Sequence, residues 1–140
     1  MTPERFKHYM VNIPVIDNEH YSLLREINAV TALFKDKNFN EAKVELETLK
    51  INMREHTKRE EDMFKRINFK FANPHVDDHV RLTKNLDKII LMSDNDLHRN
   101  LSHIVAELED IFITHIDHYD MQYADAYKEA TSKNAECISF

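Results

Sequence analysis

The chain has 140 residues, 42% of them apolar and 31% charged, with a net charge of −6, an ordinary balance for one domain with a real core. Its basic residues are scattered, so the positive stripe that phosphate binding needs is missing and nucleic acid is not an expected partner. There is no glycine and there are only three prolines, which disfavours left-handed turns and tight hairpins and favours helices joined by short polar loops.

The first segment, MTPERFKHYMVNIP, lacks the apolar core of a signal peptide and reads as an irregular arm over residues 1–16. No later stretch approaches the ~18 apolar residues of a membrane span, so a cytoplasmic protein with no membrane partner is expected. A first apolar stripe runs through Leu23, Leu24, Ile27, Val30 and Phe34, with His20 in phase and Asp17 as N-cap. A second runs through Ala42, Leu46, Leu49, Met53, His56, Glu60, Met63 and Ile67 on one face. The third opens at Asn73 and Pro74, a cap and first-turn pair, and carries His75, His79, Leu82, Leu86 and Ile89. The fourth follows the polar run Ser93 to Asp96 and uses Leu97, Leu101, Ile104, Leu108, Ile111 and His115, continuing toward Tyr123.

Four such helices with short connections predict an all-α fold, an antiparallel up-down-up-down four-helix bundle over residues 17–130. A flexible tail is expected over 131–140. The single cysteine, Cys137, lies in that tail and has no partner for a disulfide or a thiolate metal site.

Polar residues at inward positions demand an explanation. Burying an unpartnered imidazole or carboxylate costs roughly 1–3 kcal/mol by protein mutational data, so several at one level would consume much of a small core's stability. A bound cation removes the difficulty. Residues four apart on a helix differ by about 40° in azimuth and about 6 Å in rise, so His56 with Glu60, and His75 with His79, can each aim two groups at one point. With alternating helix directions, His20, His56, His75 and His115 meet at one end of the bundle. Imidazole and carboxylate suit iron, zinc or manganese. More than four convergent ligands exceed one tetrahedral ion and point to two ions, with Glu60 as the first candidate bridge. After His115, periodicity selects His118 as the last ligand, because Asp120 at i+5 sits about 140° around an α-helix.

The segments IDNEH ending at His20, HTKREEDMF from His56, HVDDH from His75 and HIDHYDMQY from His115 together resemble the bacterial hemerythrin pattern. That pattern has one His on the first helix, H-x-x-x-E on the second, H-x-x-x-H on the third and H-x-x-x-x-D on the fourth, and the match spans His20 to Tyr123. The resemblance implies that His75, His79 and His115 bind one iron, His20 and His56 the other, and Glu60 and Asp120 bridge them beside an oxo or hydroxo group. It implies an open position on the two-histidine iron, where dioxygen binds reversibly. A dry apolar pocket is expected there, lined by Leu24, Met63, Phe112 and Ile116, residues that ordinary core packing explains equally well.

The chain departs from the family pattern in having no tryptophan, in Thr57 where Phe is frequent, and in Ile111 and Phe112 where a Trp-Leu pair is common. These positions leave the ligand set intact and alter its surroundings. His8, His98, His103, His118 and Glu61 read as surface or peripheral groups. The expected function is therefore oxygen storage, delivery or sensing by a monomer without catalytic turnover. The alternative is a di-iron redox enzyme acting as an oxidase or on peroxide or nitric oxide, although no Glu-x-x-His of the carboxylate-rich di-iron type occurs.

Overall fold

The computed structural model describes residues 3–133, and every regular element among them is helical. In chain order these are α1 (Pro3–Phe6), a 3₁₀ turn (Lys7–Tyr9), α2 (Pro14–Lys35), α3 (Phe39–Ile67), α4 (Ala72–Ile90), α5 (Asp94–Arg99), α6 (Leu101–His115), a π turn (Ile116–Asp120) and α7 (Met121–Lys133). The long helices pack as α2 on α3, α3 on α4, α4 on α6 and α6 on α2. Among the described residues no helix is long and apolar enough to cross a membrane.

Several boundaries differ from the sequence reading. Helix α2 starts at Pro14, whose fixed φ suits a first helical position and whose missing N–H is not needed there. Asp17 is consequently inside the helix and not its N-cap. Its buried carboxylate instead accepts the backbone N–H of Val11 at 2.8 Å and of Asn12 at 3.0 Å, tying the preceding segment down. That segment is more ordered than an irregular arm, with α1, the 3₁₀ turn, and Phe6, Val11 and Ile13 buried. Helix α4 begins at Ala72, ahead of the expected Asn73–Pro74 start. The fourth stripe is not one helix. It is broken at Asn100, whose side chain shares the Asp96 carbonyl with the Asn100 backbone N–H, and again at the π turn. Phe112 is buried where the stripe had placed Ile111, which is half-buried. The helix runs through 131–133, part of the expected tail, while 134–140, Cys137 included, lie outside the described residues.

The apolar side chains form two clusters. A large one includes Leu23, Leu24, Ile27, Phe34, Leu46, Leu82, Leu108, Phe112 and Ile116. A smaller one joins Val11, Ile13 and Ile16 to Met63, Phe64, Phe69 and Tyr123. Burial of one Leu- or Phe-sized side chain contributes about 1.5–3 kcal/mol, so these clusters outweigh any surface pairing in holding the helices together.

Without glycine, helices α2 and α3 end on other residues in the left-handed region. At Lys37, φ is 60°, with Lys37 N–H on the Phe34 carbonyl at 3.0 Å and Asn38 N–H on the Leu33 carbonyl at 2.9 Å. This is a Schellman ending, as is the one at Asn68 with φ 52°. Asn tolerates the left-handed region, whereas Lys does so at a cost of about 1 kcal/mol. Lys37→Gly is therefore expected to raise stability by about 1 kcal/mol, read as an upward shift of a few degrees in the thermal midpoint. A lower midpoint would show that the gain in unfolded-chain entropy outweighs the relieved strain.

Candidate metal centre

Seven side chains from five elements converge between the two apolar clusters. His20 comes from α2, His56 and Glu60 from α3, His75 and His79 from α4, His115 from α6 and Asp120 from the π turn, all between 0% and 4% exposed. They form two overlapping sets that can each hold a metal ion: Glu60, His75, His79, His115 and Asp120, and His20, His56, Glu60 and Asp120. Glu60 and Asp120 belong to both.

The Nε2 atoms face inward. His20 Nε2 lies 2.9 Å from Asp120 Oδ2 and 3.1 Å from His56 Nε2. His75 and His115 Nε2 lie 2.7 and 3.0 Å from Asp120 Oδ1. Glu60 Oε1 stands 3.3 Å from His56 Nε2 and 3.2 Å from His79 Nε2. Asp120 thus offers one oxygen to each set, while Glu60 offers the same oxygen to both.

The π turn puts Asp120 there. A π turn spaces its hydrogen bonds i to i+5, so the fifth residue after His115 lands on the face that the fourth occupies in an α-helix. Asp120 is fully buried and His118 is exposed, the reverse of what α-helical periodicity selects.

A cation fits this donor set. Close as they are, the Nε2 atoms of His75, His79 and His115, Glu60 Oε1 and both Asp120 oxygens lack a partner with hydrogen-bond geometry. Buried polar atoms are seldom left so. Ligands about 2.1 Å from an ion and at right angles around it lie roughly 3 Å apart, the spacing found here. Five imidazoles, two carboxylates and no thiolate suit a borderline metal such as iron, zinc or manganese.

A further layer fixes the imidazoles. His56 Nδ1–H donates to Glu19 at 2.9 Å, His79 Nδ1–H to Glu61 at 2.8 Å and His115 Nδ1–H to Asp78 at 2.6 Å. An ionised carboxylate only accepts, so each bond puts the proton on Nδ1 and leaves Nε2 for a metal. Arg59 pairs with Glu19, and Arg81 with Asp78 at 2.6 Å. Tyr123 donates its hydroxyl to Glu60 Oε2 at 2.7 Å. Sequence reading missed Glu19, Asp78 and Tyr123 and put Glu61 on the surface. The available signal was position: each of these acids adjoins a ligand in sequence.

Charge follows the same logic. Burial and Asp120 push the Glu60 carboxyl up, but His56 and His79 more than reverse this and keep it ionised. Burial also raises Asp120, and His115 and His20 carry it well below the usual range. For Asp78, the bonds from His115 and Arg81 overcome the cost of burial. Burial lowers His56, whereas Glu60 and Glu19 lift it to about 10. Asp120 and Asp78 likewise lift His115 to about 10 against burial. Burial and the two core carboxylates raise the Tyr123 phenol, so it remains a donor.

Of the expected pocket residues, Leu24, Phe112 and Ile116 fall in the large cluster and Met63 in the smaller. Phe112 stands against two of the donors, edge-on to His20 at 5.7 Å and parallel to His115 at 6.4 Å. His8, His98, His103 and His118 are exposed and outside both donor sets. No protein-family model, curated protein or solved structure matches the chain.

Two outcomes follow for the purified protein. A histidine whose pKa rises from 6.5 to about 10 on folding stabilises fully below 6.5 and loses that contribution as pH climbs through 10. The depressed carboxyls behave oppositely, losing theirs only on acidification. Metal-free protein should therefore unfold at lower urea near about pH 9 than near about pH 6.5, while zinc affinity increases over that interval because ligating imidazoles must shed protons. Parallel trends in the two measurements would contradict this assignment. Asp78→Asn, which weakens the hold on His115, is expected to reduce zinc affinity about 10- to 100-fold in a chelator competition; unchanged affinity would mean packing alone orients that ring.

Proposed function

We propose that this chain is a hemerythrin-type protein, an antiparallel up-down-up-down four-helix bundle that binds dioxygen reversibly at a non-haem di-iron centre with an oxo or hydroxo bridge, for oxygen storage, delivery or sensing. The observation that carries this reading is the pair of overlapping donor sets sharing Glu60 and Asp120. His75, His79 and His115 would hold one ion, His20 and His56 the other, and the two carboxylates both.

The cross-helix contacts support the helix directions. His20 meets His56 and Glu26 meets Asn52, so numbers rise along α2 as they fall along α3. Lys50 with Asp87 and Glu61 with His79 run the same way for α3 and α4.

Iron held here by the five histidines and two carboxylates would supply the two electrons that reversible dioxygen binding requires. The chain's own residues supply the rest. The His20–His56 set has one histidine fewer than the other, which favours it as the side where a small ligand enters. Phe112 walls that side beside His20. The apolar clusters above and below exclude water, which strengthens the carboxylate and imidazole interactions and limits stray protons. Tyr123 keeps a hydroxyl donor on Glu60. Donors at 0–4% exposure suit a diatomic ligand better than an organic substrate, which favours binding over turnover.

The test is the visible absorption of iron-loaded protein through repeated cycles of deoxygenation under reductant and return to air. Colour that returns on every cycle is the expected result. A single bleaching to a stable oxidised form would sink reversible binding and turn the reading to a di-iron redox enzyme.

A further inference from the structure

All seven donors are enclosed, yet metal ions must reach them. Between α2 and α3 lies a groove of about 350 Å³ whose lining includes Glu19, Ser22, Glu26, Glu55, His56 and Arg59. Of the seven donors, His56 alone lines it. A second groove, of about 400 Å³, lies between the end of α3 and the start of α4 and includes Glu61 and Asn73 but no donor.

We infer that the α2–α3 groove is the route by which divalent cations enter the buried cluster, with the Glu19–Arg59 pair as its gate and His56 as the residue that passes the ion inward. The inference rests on the metal-centre reading above. Three carboxylates against one guanidinium give a concave surface of net negative charge, which concentrates cations at its floor. Glu26 Oε2 is buried with no hydrogen-bond partner, leaving an acceptor beside that path. At the inner end, Glu19 bonds His56 Nδ1 with one oxygen and Arg59 with the other. Arg59 is 44% exposed, so its half of the gate moves at little packing cost. When Glu19 swings outward with Arg59, His56 Nδ1 is free. Rotation about the Cα–Cβ and Cβ–Cγ bonds then swings the ring between the groove and Glu60 and carries the ion inward. Return of Glu19 restores the Nδ1–H bond and fixes Nε2 inward.

The experiment loads metal-free protein with cobalt(II) and follows its visible d–d bands by stopped flow. Ser22→Trp fills the groove at an exposed position and should slow loading about tenfold, the effect of roughly 1.4 kcal/mol on a barrier, while the final cobalt stoichiometry stays the same. Arg59→Ala should speed both loading and chelator-driven release several-fold, since a gate changes rates in both directions. Asn73→Trp, at an exposed position in the other groove, should leave the rate unchanged. Far-ultraviolet circular dichroism confirms that each variant folds. Wild-type loading by Ser22→Trp, or slow loading by Asn73→Trp in its place, overturns the route. Failure of the unaltered protein to take up cobalt at all overturns the metal-centre reading instead.

Discussion

The rest of the molecule is arranged around one electrostatic constraint: two ionised carboxylates and five imidazoles occupy the same enclosed space in a core built for apolar side chains. Carboxylates removed from water cost several kcal/mol each unless positive charge stands beside them. In the metal-free protein His56 and His115 provide it as imidazolium ions. Cations provide it better, because they bind several donors at once and release protons to solvent. The helices must hold the donors in register against that internal pressure, which explains why the centre is flanked by two apolar clusters and not left open at one end.

Register is held by a series of braces with a common design. Glu19 precedes His20 on α2 but bonds His56 on α3. Glu61 follows Glu60 on α3 but bonds His79 on α4, and Asp78 precedes His79 on α4 but bonds His115 on α6. Neighbours in sequence lie about 100° apart around a helix. When one points at the centre, the other points at the seam with the next helix. Helices α2, α3 and α4 therefore each donate to the centre and orient the next helix's donor. The series stops before returning to α2, since His20 Nδ1 has no hydrogen-bond partner, and its ring is located instead by His56 and by the edge of Phe112.

The apolar stripes of α2, α3 and α4 and the six donors from His20 to His115 were readable from periodicity because they lie on regular helix, where residue number maps to direction. Asp120 was not, because the π turn breaks that mapping, and only the pattern resemblance had named it. Asp17 misled because a short acid near a helix start reads as a cap, while Pro14 had already begun the helix. The bracing acids sat inside the quoted segments IDNEH, HTKREEDMF and HVDDH. A solvated helix face and a helix seam carry the same residue types, so nothing in composition separated Glu61 from its exposed neighbours. The direction of a side chain off the main stripe depends on which helix lies beside it, and that is a tertiary fact.

The braces also bear on which chemistry the proposed centre favours. A carboxylate accepting Nδ1–H makes the imidazole a stronger donor and stabilises a higher metal charge. Two of the three histidines on one side have such a partner, and one of the two on the other. Arg59 and Arg81 draw part of the carboxylate charge outward on the pairs serving His56 and His115, whereas Glu61, which serves His79, pairs with no Arg or Lys among the described residues. Donor strength is thus graded around the ring. A centre that must give up electrons to a ligand and recover them needs donors strong enough to stabilise the oxidised pair and weak enough not to trap it. Arginine-tempered carboxylates acting at one remove, through neutral imidazoles, meet that requirement better than additional carboxylates bound directly.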